Sequence, residues 1–319
     1  MPITVRFWGT RGSIPAALTA KGVRDKLVSA LVAASGKSFG TSDQAAAFVD
    51  TLPFSTSHTF GGNSSCIELR SPGAARVLLD MGSGARAAAG DALRELKGTP
   101  GEFHVFQSHL HWDHIMGFPF FTPAYIPGHK ITIYGCHAEL EHAFRRQQAQ
   151  PSFPVDMSVM GATIEFVVLE PGRTYEIGGY GVTPKPQVHG GDSYGYRFER
   201  DGSAVIYSTD SEHKLENAEE TQKFVDFFQG ADLVIFDAMY SLADTVSVKE
   251  DWGHSSNVVG VELCQLARAK HLVLFHHEPA YDDATIERVW RETQRLEEIT
   301  REEHAVTVTA AYDGLEITV

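Results

Sequence analysis

The chain has 319 residues, 43 % hydrophobic and 21 % charged, with a formal net charge of −14. That composition suits a globular protein with a sizeable core, and it excludes the broad basic surface needed to hold long RNA or DNA. It does not exclude a small phosphate ester whose charge a metal neutralises. The three cysteines, Cys66, Cys136 and Cys264, form no CxxC pair, which argues against a disulfide scaffold and fits a reducing cytoplasm. The opening MPITVRFWGTRGSIP lacks the apolar segment of a signal peptide. No run of about 18 apolar residues predicts a membrane span.

Runs rich in Val, Ile and Phe, bounded by turn residues, predict strands. In chain order they are Thr4–Trp8, Ile67–Arg70, Arg76–Asp80, Phe103–Ser108, Lys130–Tyr134, Thr163–Leu169, Ser203–Ser208, Asp232–Phe236, His271–Phe275 and Ala305–Ala311. Helical periodicity predicts helices at Ala85–Leu96, Ala138–Ala149, Leu215–Phe228, Ser255–Ala269 and Asp283–Glu303. Asp313-Gly314 reads as a tight turn joining the last two strands. Residues 16–58, Ala/Ser-rich with helical patches, read as an insertion, either a lid or a dimer contact. Residues 147–160 read as a loop. No internal repeat is visible, so 1–319 is expected to form one domain.

The chemistry concentrates in Ser108-His109-Leu110-His111-Trp112-Asp113-His114. It follows an apolar run and therefore sits at a strand's C-terminal end. Three imidazoles and a carboxylate within six residues are costly to bury without partners, and they suit Zn, Mn or Fe. His109 and His111, two apart in extended chain, point the same way and can grip one ion. Asp113 and His114, after the chain turns, can reach a second. Downstream, His189 follows a Pro-containing loop, while Asp210 and His276 each end an apolar strand. Such loop-proximal ends are where catalytic groups usually sit.

This pattern resembles the metallo-β-lactamase fold superfamily, over nearly the whole chain. Asp80-Met81-Gly82-Ser83-Gly84 resembles its DxGxG loop, where the Asp is mainly structural. The resemblance implies a four-layer αβ/βα sandwich, a member of the α/β class. It also implies two divalent ions, most readily Zn. Metal 1 would be held by His109, His111, His189 and Asp210, and metal 2 by Asp113, His114, His276 and Asp210. His276 is preferred to its neighbour His277 because it matches the family position.

Two further elements resemble the phosphodiesterase branch, which includes ribonuclease Z. Trp252-Gly253-His254-Ser255-Ser256 is similar to its GHS element, and Asp237-Ala238-Met239-Tyr240 to the element that orients that His. The resemblance implies that His254, held by Asp237, donates a proton to the leaving oxygen. It also implies that a metal-bridging hydroxide attacks phosphorus, with Asp113 orienting it. The plain alternative makes His254 a residue before a helix and Asp237 a strand-end turn residue. The loops Phe7-Trp8-Gly9-Thr10-Arg11-Gly12-Ser13 and Gly61-Gly62-Asn63-Ser64-Ser65 also resemble this branch. Arg11 is open between a phosphate contact and a structural ion pair.

The branch's tRNA-processing enzymes carry a long arm between the third His and the bridging Asp. Here His189 and Asp210 lie only 21 positions apart. With the acidic charge, this favours a small phosphodiester, such as a cyclic nucleotide, over tRNA. A lactonase or thioesterase on the same ligands, and a diiron redox or oxygen-binding module, are the alternatives. A homodimer is left open.

Overall fold

The computed structural model describes residues 1–213, 217–239 and 254–319. In the first sheet, β1 (Thr4–Gly9), β2 (Cys66–Arg70) and β3 (Arg76–Leu79) pair antiparallel. β4 (Glu102–Phe106), β5 (Lys130–Gly135) and β6 (Thr163–Val168) then continue in parallel from β3. In the second sheet, β7 (Tyr175–Ile177), β8 (Tyr180–Gln187), β9 (Ser193–Arg200) and β10 (Ser203–Ser208) form an antiparallel meander. β11 (Leu233–Asp237), β12 (His271–Phe275) and β13 (Thr307–Ala310) extend it in parallel. The last strand, β14 (Glu316–Thr318), returns to the first sheet beside β1.

Alternation along each strand decides which layer a side chain joins. In β11, Leu233 and Ile235 face the first sheet, within a core that includes Phe7, Leu79, Phe106, Phe198 and Phe275. Val234 and Phe236 face outward, against Phe224 and Phe228 of α7 (Ala218–Phe228) and Val261 and Cys264 of α8 (Asn257–Leu266). The first sheet is covered likewise by α4 (Ala85–Leu96) and α6 (Leu140–Gln147). Strands buried on both faces read as continuous apolar runs, which is why the parallel strands stand out in the sequence. The result is the expected four-layer sandwich. Phe106 is fully buried between the sheets, against Tyr134, Tyr196 and Phe198. Phe106→Ala is expected to destabilise the fold by about 3–5 kcal/mol, read as a lowered urea midpoint with an unchanged slope.

Two features differ from the sequence expectation, and a third gives the 16–58 insertion its expected helices. The segment before His189 is not a loop: Pro184 and Pro186 lie within β8. They are tolerated there because β7 pairs only with Tyr180, Gly181 and Val182, so the proline half of β8 has no strand partner on that side and needs no amide donor, while the Pro184 carbonyl accepts from the Gly172 amide. Gly178 and Gly179 make the β7–β8 turn, both at positive φ (62° and 88°). Second, the Asp313-Gly314 turn joins β13 to β14, which belong to different sheets, so it is a crossover and not a hairpin. Third, residues 16–58 hold three helices, α1 (Ala20–Ala33), α2 (Ser42–Val49) and α3 (Phe54–Ser57). They anchor on the N-terminal end of α9 (Asp283–Thr300): Lys26 meets Asp283 at 2.6 Å, and Glu287 accepts from the Phe54 and Ser55 amides. None of their residues joins the metal-competent groups found among the described residues. No helix among the described residues is long and apolar enough to cross a membrane.

Candidate metal centre

The C-terminal ends of the parallel strands from both sheets meet at one edge, the usual place for ligands in open α/β sheets. β4 leads into Gln107-Ser108-His109 and the short helix α5 (Trp112–Ile115), which carries Asp113 and His114. β8 ends one residue before Val188-His189, β10 two residues before Asp210, and β12 directly before His276. Asp80, Asp210 and His276 sit at φ of 59°, 49° and 60°. A left-handed backbone at a non-glycine residue costs about 1–3 kcal/mol and clusters at functional sites. Gly12 lines the same place: a Cβ there would lie 2.5 Å from the His276 ring, so only glycine lets that imidazole take its position.

All seven residues singled out as metal ligands converge. His109, His111 and His189 offer nitrogens within 4.8 Å of one another, and Asp113, His114 and His276 form a second such group. The Asp210 carboxylate stands between them. Its oxygens lie 3.6 Å and 3.9 Å from the Nε2 atoms of His109 and His189, and 3.3 Å from those of both His114 and His276. His276 joins the group, whereas His277 turns away and bonds the Ala311 carbonyl at 2.8 Å. Asp113, His114, Asp210 and His276 form a buried floor, while the more exposed His111, His189 and His254 ring the mouth.

The donor set fits divalent cations. Nε2 of His109 and Oδ2 of Asp113 are buried without a hydrogen-bond partner. The His114 and His276 Nε2 atoms face each other at 3.3 Å. Such crowding of lone pairs is costly unless a cation or protons neutralise it. Burial pushes the Asp113 carboxyl up, but His114 and His276 outweigh it and hold it far below the usual range. Asp210 behaves the same way under His276, His114 and His109. Burial, with the neighbouring His114, His111 and His189, lowers His109 well below its ordinary value against the opposing charge of Asp210. Burial also acts downward on His114, yet Asp113, Asp210 and Asp80 carry it well above.

His254 lies against this cluster. Its Nδ1 is 2.8 Å from Asp237 Oδ2, and its ring stacks on His276 with centroids 5.2 Å apart. Asp237 itself is fixed by the amides of Ser211 and Met239. Burial lowers the His254 pKa, but the charge and hydrogen bond of Asp237 prevail and raise it to about 9. The neighbouring Tyr240, Trp252 and Gly253 of the two quoted elements lie outside the described residues.

Arg11 forms no ion pair among the described residues. It is buried, and its guanidinium donates to the carbonyls of Gly61, Glu278 and Tyr281. Sequence reasoning missed the web around Asp80. One carboxylate oxygen accepts from the Ser108 amide and Gln107 Nε2, and the other meets the Ser108 and Tyr207 hydroxyls and His114 Nδ1. His137 meets the Asp192 carbonyl at 2.7 Å and so braces the loop that carries His189.

A two-sheet αβ/βα sandwich with His and Asp groups at its strand ends defines a metallo-β-lactamase-fold hydrolase, a fold that implies divalent metal ions. The chain belongs to the β-lactamase superfamily: the model described as "Beta-lactamase superfamily domain" matches residues 75–277. Ribonuclease Z of Oceanobacillus iheyensis is 22% identical over 242 residues, which span 60% of this chain and 76% of that protein. Among solved structures, the metallo-β-lactamase fold protein YhfI from Bacillus subtilis superposes over 100% of this chain and 99% of its own, with a TM-score of 0.65 and 17% identity. A diphosphatase from the PhnP family does so over 99% and 97%, with a TM-score of 0.60 and 19% identity. These structural likenesses carry the fold.

Proposed function

We propose that this protein is a binuclear phosphodiesterase acting on a small phosphodiester. The observation that carries the reading is the Asp237–His254 pair at 2.8 Å, set beside the seven-residue cluster. A thioester hydrolase needs no such proton donor, because a thiolate departs readily, whereas a lactone opens to an alkoxide and is separated from a diester by the substrate panel below. The Ribonuclease Z relative is consistent with phosphodiester chemistry.

In this reading His109, His111 and His189 would hold one ion, Asp113, His114 and His276 the other, and Asp210 would serve both. Zn suits the ligands best, with Mn or Fe as substitutes. When bound, the ions lower the pKa of a water nucleophile and stabilise charge on the phosphoryl oxygens. His254 keeps Nδ1–H on Asp237 and presents Nε2–H toward the mouth. As the bond from phosphorus to the leaving oxygen breaks, that proton passes to the oxygen. Asp113, beside both His114 and His276, orients the attacking water. β9 and β10 fill the interval between His189 and Asp210, so a long tRNA-binding arm has no place there. The whole chain is read as one domain acting in the cytoplasm.

The test is a substrate panel on zinc-reconstituted protein: bis(p-nitrophenyl) phosphate, cyclic nucleotides, a tRNA precursor, acyl-homoserine lactones and glutathione thioesters. The expected result is about two ions per chain and turnover of diesters alone. Full activity with one ion or none would refute the binuclear reading. Cleavage of lactones or thioesters but no diester would move the assignment to those classes, and tRNA processing would remove the size restriction.

A further inference from the structure

The core between the two sheets is apolar except for a few phenols, and two of these sit side by side. Tyr196 and Tyr207 are register partners on β9 and β10, and both are fully buried. A buried hydroxyl costs stability unless it is hydrogen-bonded, and phenylalanine would fill the same space without that cost. Both hydroxyls cross to the first sheet at its catalytic end. Tyr196 donates to the Gln107 carbonyl at 2.8 Å, and Tyr207 donates to Asp80 Oδ2 at 2.6 Å.

The two contacts differ in what lies beyond them. The Gln107 carbonyl belongs to the backbone, whereas the Asp80 carboxylate leads to two candidate ligands. It meets His114 Nδ1 at 2.7 Å directly. It also takes the Ser108 hydroxyl at 2.6 Å, and that hydroxyl lies 3.1 Å from His109 Nδ1. A proton held on each Nδ1 by these partners would leave the Nε2 atom of each ring to offer a bound ion its lone pair. Outer partners of this kind orient metal-binding imidazoles and set their tautomer.

We propose that Tyr207 is a positioning residue for the metal centre, clamping Asp80 from the opposite sheet so that His114, and His109 through Ser108, present Nε2 to the ions. Ser108 and Gln107, which also donate to Asp80, come from the same sheet as Asp80. Tyr207 comes from β10, three residues before Asp210. The contact therefore ties the carboxylate that aims the first sheet's histidines to the strand that delivers the bridging aspartate. Burial and the Asp80 charge raise the Tyr207 pKa well above its ordinary value, so the phenol stays a donor.

This inference rests on the metal-centre reading. The test compares Tyr207→Phe with Tyr196→Phe, each losing one buried hydroxyl from adjacent positions. Zinc is removed stepwise by a competing chelator, and thermal unfolding of the metal-free proteins is measured alongside. Tyr207→Phe should weaken the zinc step of the His114 site by about 10- to 100-fold, and that of the His109 site, reached through Ser108, by no more than this, with the metal-free melting temperature close to that of Tyr196→Phe. Tyr196→Phe should keep the wild-type zinc steps. Equal zinc steps in wild type and Tyr207→Phe, or equal losses in both variants, would overturn the proposal. Wild-type protein that binds no zinc would instead overturn the metal reading. Should Tyr207→Phe fail to fold, proton NMR of the zinc-loaded wild type decides. An exchange-protected His114 Nδ1–H with a nuclear Overhauser contact to the Tyr207 hydroxyl supports the clamp, and its absence refutes it.

Discussion

His254→Ala is expected to keep the wild-type metal content and lose about 10²- to 10⁴-fold in kcat on a diester with an alkoxide leaving group. An alkoxide is a poor leaving group, and only a positioned acid removes its charge as the bond to phosphorus breaks. Asp237 makes His254 that acid, fixing Nδ1 at 2.8 Å and raising the pKa to about 9. The leaving group supplies the internal control. p-Nitrophenolate departs without a proton, so the same variant should lose less than about tenfold on bis(p-nitrophenyl) phosphate. Equal losses on both substrates would show that His254 acts on binding or on the metals, and unchanged kcat on the alkoxide diester would remove its acid role. Metal analysis on the same samples separates these outcomes, because the ring also stacks on His276.

Asp210→Ala should have the larger effect on metal content. Among the described residues, Asp210 is the one whose carboxylate lies within 4 Å of histidines from both groups, with His109 and His189 on one side and His114 and His276 on the other. Without it, each group keeps three donors but loses the charge that compensates two ions held close together. The expected result is a fall from about two ions per chain to one or fewer. Diester turnover should drop by at least about 10²-fold, the scale of losing one preorganised charge at a transition state. Asp210→Asn, which keeps the shape and removes the charge, should follow Asp210→Ala in metal content. Two tightly held ions in both variants would show that another residue bridges.

Much of the site was legible because it is local. Four potential ligands fall within His109–His114, and their spacing carries meaning without any tertiary contact. The apolar parallel strands were legible for a related reason, since burial on both faces leaves a continuous run. The β7–β9 meander was not, because Pro184 and Pro186 break the strand signal and only the half-paired state of β8 makes them acceptable. The Gly178-Gly179 turn was the available clue. Asp313-Gly314 was recognisable as a turn, but the identity of the strands it joins depends on which sheet accepts β14.

The sequence by itself determined the donor chemistry, the strand-end setting of the His–Asp motif and the apolar layers from which a sandwich is built. Tertiary structure decided that His276 enters the cluster while His277 bonds Ala311, that Arg11 is spent on backbone carbonyls, and that Tyr207 reaches Asp80 across 127 positions of chain. The reason is one of range. Periodicity and motif spacing report what neighbours in the chain do, within a few residues. The convergence of ligands depends on how far apart two packed sheets hold their strand ends, a distance set by the whole core and written in no single segment.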